Sequence, residues 1–321
     1  MSASGVAQQT GTRVGWALLT ACAPVVWGTT YVVTSRFLPD ALPTWSGALR
    51  ALPAGIVGLL VCRRLPRGAW IWKSLAMGLA NMGVFFPLLF VAAYRLPGGV
   101  AAVLGACQPL FVAGLGWLAL REPPGWRRIR WGLAAVAGVA LMVLSPGARL
   151  DPVGIGAGVL GTASMAVGIV LTKKWGRPVG GFTWASWLLA WSGLALVPAA
   201  FALEGPPPPL DAAALGGYAW LTIPGGLLAY WAWFAGLARL SAGAASFLPL
   251  LSPVMATLLG AAVLGEFPAP VQWAGLALCL CAVYQAQRPP RAAPPANRKP
   301  PPRRLGLTTT DGPGARHAQT D

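Results

Sequence analysis

Ten apolar runs, each close to the twenty residues that a bilayer-spanning helix needs, follow one another along this chain with short gaps between them. They are Val14–Thr34, Thr44–Cys62, Ser74–Ala93, Gly98–Leu120, Trp131–Ser145, Val153–Thr172, Phe182–Leu203, Leu215–Ala238, Gly243–Leu264 and Val271–Ala286. Inside a bilayer no water can satisfy the backbone, so such runs are helices. No strand pattern competes with them. The expected fold is an all-α integral membrane protein with ten transmembrane helices. Connections are short and marked by Pro, Gly or Arg, and membrane helices tolerate the chain's 41 glycines and 31 prolines.

Charge supports the same class. Only 10% of residues are charged and 56% are apolar, with a mean hydropathy of +0.61, whereas a soluble chain carries about 25% charged residues. The net charge of +16 would otherwise point to nucleic acid, but the basic residues sit in the gaps between apolar runs and in the tail. With the N-terminus in the cytoplasm, 20 of the 24 Lys and Arg fall on the cytoplasmic side and 3 outside, leaving Arg50 within a span. Without the tail the bias is still 13 to 3. This positive-inside asymmetry puts both termini in the cytoplasm of a multi-pass protein of the cell membrane. Partners are then lipid and a small molecule, not nucleic acid.

Leu19-Thr20-Ala21-Cys22, after Arg13, has the form of a lipoprotein cleavage box. The apolar run continues through Ala23-Pro24-Val25-Val26-Trp27, where a mature lipoprotein turns polar, so this is read as the first span. The five cysteines all fall inside apolar runs without metal-ligand spacing. Residues 1–13 form a cytoplasmic N-terminus. Residues 288–321, rich in Pro, Arg and Thr, read as a disordered basic cytoplasmic tail.

Shifting the chain by 144 residues lays Arg95–Glu122 over Arg239–Glu266, with ten of 28 positions identical. Leu, Ala and Gly matches are cheap in such a chain. Arg95/Arg239, Pro109/Pro253 and Glu122/Glu266 at one offset are not. The repeat unit is five spans (14–145, then 153–287), and an odd number inverts the second copy. Inverted repeats give many secondary transporters their inward- and outward-open states; a duplicated scaffold without transport is the plainer alternative.

Pro109-Leu110-Phe111, Leu120-Arg121-Glu122, Gly132 and Gly138-Val139-Ala140-Leu141 in the first copy have counterparts in the second. These are Pro253-Val254-Met255, Leu264-Gly265-Glu266, Gln272 and Gly275. Each set resembles the EamA domain of the drug/metabolite transporter superfamily, and Trp27-Gly28 also fits. Arg121 stands where the first copy of that family normally has Gly. The resemblance implies two five-helix repeats around a central cavity and movement of small organic metabolites, amino-acid-like or drug-like, often outward. It implies no cofactor. Monomer and homodimer are both compatible with it.

Nothing suggests catalysis. The single histidine, His317, lies in the tail, and no carboxylate lies at the middle of a span. A membrane-embedded enzyme or lipid-handling scaffold, the competing class, would need such a cluster, and no metal site is expected. Arg50 is the one ionisable group well inside a span. It contacts an anionic substrate group, pairs structurally with helix-end carbonyls, or snorkels, since the outer end of its span is about 9 Å away by helical rise. Trp27, Tyr31, Asn81, Gln108, Ser164, Tyr230, Trp231 and Ser252 are the other candidate substrate-binding residues. Asn81 and Gln108 equally suit gluing helices together, because a buried amide must find a partner. Of Tyr230, Trp231 and Trp233, at least one belongs to lipid or helix packing. Pro109 and Pro253 each free a backbone carbonyl one turn back and serve as hinges or as fixed kinks. Most of the sixteen tryptophans lie near span ends, as an interfacial belt requires.

Overall fold

A computed structural model describes residues 3–39, 42–96, 101, 104–121, 125–143, 151–240, 245, 247–264 and 269–287. Every regular element among them is helical. In chain order these are α1 (Ala3–Gly28), α2 (Thr30–Phe37), α3 (Pro43–Cys62), α4 (Trp70–Gly78), α5 (Phe85–Arg95), α6 (Gln108–Leu120) and α7 (Trp126–Val143). Then come α8 (Pro152–Trp175), α9 (Gly181–Glu204), α10 (Ala212–Thr222), α11 (Ala229–Leu237), α12 (Leu251–Leu264) and α13 (Pro270–Gln287).

Among the described residues six helical runs are long and apolar enough to cross a membrane: Val14–Phe37, Pro43–Cys62, Trp70–Arg95, Pro152–Trp175, Gly181–Glu204 and Ala212–Leu237. Gln108–Leu120, Leu248–Val263 and Pro270–Ala282 are shorter apolar helices. They coincide with parts of three of the four remaining expected spans. The fourth coincides with α7, whose start carries Arg127, Arg128 and Arg130. Glu122, Glu266 and the tail from Arg288 lie outside the described residues.

Two segments depart from α geometry in the same way. Leu79–Gly83, between α4 and α5, and Ile223–Leu228, between α10 and α11, are π-helical, and their starts are 144 positions apart (223 − 79). A π turn widens the helix and leaves carbonyls short of their usual partners. In the second segment Pro224 also removes a donor. The freed oxygens are met from elsewhere. Ser164 Oγ donates to Ala80 O at 2.8 Å and Ser192 Oγ to Gly78 O at 2.9 Å. Gly225 O accepts from both Trp27 and Arg50.

The helices α3 and α9 pack antiparallel at the centre. Small residues bring them together: a Cβ at Gly55 would lie 2.3 Å from Ala190 N, and one at Gly193 2.4 Å from Leu52 Cα. With no hydrophobic force between helices in lipid, such close backbone approach is what dispersion packing needs. Their ends are tied reciprocally. Trp45 Nε1 donates to Gly205 O at 3.0 Å, and Trp187 Nε1 to Arg64 O at 2.6 Å. The Glu204 carboxylate accepts the N–H groups of Thr44 and Trp45 at 2.6 and 2.8 Å, satisfying orphan donors at the start of α3. A second antiparallel pair, α7 and α13, is joined by Arg127 on Gln285 O and by Cys279 Sγ on Ala135 O at 3.7 Å.

The α8 and α10 helices begin with aspartate caps. Asp151 Oδ1 accepts Gly154 N–H at 2.8 Å and Asp211 Oδ1 accepts Ala214 N–H at 2.7 Å. Arg95 at the end of α5 reaches Asp151 at 3.2 Å, joining α5 to the start of α8.

Candidate functional site

One cavity of about 80 Å³ lies where α1, α2, α3, α5, α6, α8, α11 and α12 face one another. A buried water needs only roughly 10–15 Å³, so the space suits several waters or part of a small organic molecule. Its aromatic side is Trp27, Tyr31, Phe85 and Tyr230. Trp27 and Tyr230 are 4.8 Å apart between ring centroids. Leu89, Ala92 and Met165 add apolar surface, and Gly105, Gly158 and Gly161 bring backbone to the wall. Thr30, Thr162, Gln108 and Ser252 supply the neutral polar groups.

Arg50 is the charged member. The α3 helix carries it into the bundle with 1% of its surface exposed. Nη2 donates to Gly225 O at 3.0 Å, and the Phe86 ring covers the guanidinium with its centroid 4.7 Å from Cζ. Nε and Nη1 are buried with no hydrogen-bond partner. Arg50 is therefore not extended to the headgroups. It is partly a structural tie to the second π segment and partly an unspent donor set.

Of the residues expected to bind substrate, Trp27, Tyr31, Arg50, Gln108, Tyr230 and Ser252 line this one cavity, as does Pro253. Asn81, Ser164, Trp231 and Pro109 do not. Asn81 is fully buried in the first π segment, donates from Nδ2 to Met77 O at 2.9 Å and packs on Gly168. Ser164 is spent on Ala80 O. Trp231 is 39% exposed, turned about 100° around α11 from the buried Tyr230. Pro109 is buried against Gly132.

Sequence reasoning missed Phe85, Leu89, Gly158, Gly161, Thr162 and Met165 as wall residues. Helical spacing carried the signal, since Phe85, Leu89 and Ala92 share a face, as do Gly158, Gly161, Thr162 and Met165. Among the described residues no group of three His, Cys, Asp or Glu is placed to hold a metal ion.

The sequence of the two halves matches the EamA-like transporter family over residues 14–144 and again over 152–286. The chain belongs to the EamA-like transporter family. Protein PecM of Dickeya dadantii is 43% identical over 267 residues, spanning 83% of this chain and 90% of that protein. Two proteins named as uncharacterized transporters are more distant. YwfM of Bacillus subtilis is 27% identical over 86% of this chain and 95% of its own length. The inner membrane transporter YedA of Escherichia coli K12 is 28% identical over 81% and 86%. A solved crystal structure matches with a TM-score of 0.69 at 21% identity, covering 85% of this chain and 96% of that one, and so shares the fold. The chain is thus a membrane protein of a transporter family, with a cavity of about 80 Å³ walled by its helices.

Proposed function

We propose that this EamA-like protein is a secondary transporter that moves small organic metabolites, amino-acid-like or drug-like, across the cell membrane by alternating access, in the direction of efflux. The observation that carries this reading is a single cavity walled from both sequence repeats. Trp27, Arg50 and Gln108 come from the first, and Gly158, Tyr230 and Ser252 from the second. The substrate lies among Trp27, Tyr31, Arg50, Gln108, Tyr230 and Ser252.

In this reading the chain has ten spans in two inverted five-helix repeats, 14–145 and 153–287, with both termini cytoplasmic. Helices equivalent under the repeat that pack antiparallel support it: α3 with α9, and α7 with α13. The two π segments 144 positions apart support it too. Each half then exchanges conformations with the other, and the site opens alternately to either face. Pro253, on the cavity wall, and Pro109, behind it, are the hinge positions.

The test is an untargeted comparison of metabolites inside and outside cells that overexpress or lack the protein. Efflux predicts compounds that rise outside and fall inside on overexpression, with the reverse in the deletion. Identical profiles in both strains would remove the proposal.

A further inference from the structure

The cavity has a one-sided charge. Among the described lining residues Arg50 alone carries a permanent charge, and none of them is an aspartate or glutamate. A guanidinium stays protonated throughout the physiological range. Arg50 makes no ion pair with a described residue. Its Nη2 is committed to Gly225 O and one face is covered by Phe86, which leaves Nε and Nη1 buried without acceptors. Leaving ionised donors buried and unmet is costly, and an anion is the partner that answers both the charge and the protons.

Two further atoms describe the rest of the occupant. Gln108 Oε1 is buried with no donor opposite it, and Thr30 Oγ1 is buried without a partner. An amide oxygen only accepts, so it asks for an N–H or O–H on the ligand. The Trp27 and Tyr230 rings favour a flat apolar body between the polar ends. An ammonium would find no carboxylate among the described lining residues and would share the space with Arg50.

Within the substrate-site reading of this cavity, we propose that the occupant is a net-anionic organic acid: a carboxylate on a flat apolar or aromatic body that also carries a neutral N–H or O–H donor. The carboxylate meets Arg50, the neutral donor meets Gln108 Oε1, and the ring lies against Trp27 and Tyr230. Cations and zwitterions are disfavoured by the same arrangement.

The experiment is calorimetric titration of the full chain in nanodiscs with 4-hydroxybenzoate, benzoate, 4-hydroxybenzamide and tyramine. The expected order puts 4-hydroxybenzoate first, about tenfold or more tighter than the amide, as one charge-assisted hydrogen bond would give, with tyramine weakest. Arg50→Gln should erase the preference for carboxylate over amide. Gln108→Leu should erase the preference for 4-hydroxybenzoate over benzoate. If Arg50→Gln does not fold, the wild-type series and Gln108→Leu still decide. Amide or amine binding as tightly as the acid overturns the anion assignment while leaving the cavity as a binding site. No heat from any of the four also overturns it, and the metabolite comparison above then decides separately whether the transport reading falls.

Discussion

Trp27 Nε1 and Arg50 Nη2 donate to the same oxygen, the carbonyl of Gly225, each at 3.0 Å. One donor comes from α1 and the other from α3, and the acceptor lies in the π segment between α10 and α11. A carbonyl has two lone pairs, and both are used here. The tie fixes the Trp27 ring against Tyr230 and holds the guanidinium at the cavity wall. Trp27→Phe removes the N–H but keeps most of the ring, and Gly225 O retains Arg50, so the cost should be about 1 kcal/mol. Trp27→Ala also removes the partly buried ring and should cost more, about 2–3 kcal/mol. Unfolding in detergent measures both. Equal costs would mean that the hydrogen bond, not packing, dominates this position.

The close approach of α3 and α9 rests on glycine at three points, Gly55, Gly58 and Gly193. A leucine at Gly193 would drive its side chain into the backbone of Leu52, so Gly193→Leu should lose about 1–3 kcal/mol or more through overpacking. Gly216 in α10 has open space where a Cβ would go. There Gly216→Ala should be neutral or stabilising by about 0.5–1 kcal/mol through helix propensity. Monodisperse yield and thermal unfolding after purification compare the two. A tolerated Gly193→Leu would show that α3 and α9 can separate at little cost.

Arg50 and Tyr230 were legible in the sequence because a charge or phenol deep in an apolar run has few other uses. The runs also marked the helices, since period and length survive without tertiary information. Asn81 and Ser164 carried the same polar signal and yet point elsewhere. A buried amide or hydroxyl takes the nearest free carbonyl, Met77 O for one and Ala80 O for the other. Those carbonyls are near or within π turns, and Leu-Ala-Asn-Met-Gly has no local mark of a π turn. The glycine wall, Gly158 and Gly161, was silent because glycine contributes to a cavity by lacking a side chain. Trp231 and Tyr230 are adjacent, and only the helix rotation separates a lipid-facing ring from a cavity-facing one.

Asp151 gives a stability change with a defined direction. The Gly154 N–H is the main influence holding its carboxyl below the usual carboxylate range; desolvation opposes this, and Arg95 assists it. A folded-state value below the unfolded one means that the stabilisation is present above the unfolded pKa of about 3.9 and is lost as pH falls through the folded value. Arg95 and Asp151 are half and a third exposed, at 50% and 34%, so the effect is small and screened by salt. Wild type should lose more thermal stability than Asp151→Asn between about pH 5 and about pH 3. Parallel losses in the two proteins would remove Asp151 as a contributor.

Topology can be read directly with reporter fusions. The basic bias of the sequence predicts Lys73, Arg130, Arg177 and Arg288 on the cytoplasmic side, and Asp40, Arg149 and Asp211 outside. Fusions after the first four should report cytoplasm, and after the other three the exterior. The two halves then enter the membrane from opposite sides. An external report at Arg130 would break the five-plus-five inverted arrangement.

Energy coupling follows from what surrounds the substrate. A proton carrier needs a group that alternates between charged and neutral forms at working pH, as a carboxylate shifted by burial can. Among the described lining residues there is none, and Arg50 does not titrate in that range. Glu122 and Glu266 fall at the ends of apolar runs in the sequence rather than within them. Transport should therefore be gradient-driven and facilitated, or coupled through the substrate's own ionisation, with no intramembrane carboxylate exchanging protons. The measurement is counterflow in proteoliposomes with an identified substrate, with and without an imposed pH gradient. An organic acid should respond to the gradient only as its own carboxyl titrates, and Glu122→Gln and Glu266→Gln should leave that response intact. Uphill movement of a non-ionisable substrate, driven by the gradient and abolished by either substitution, would sink this account of coupling.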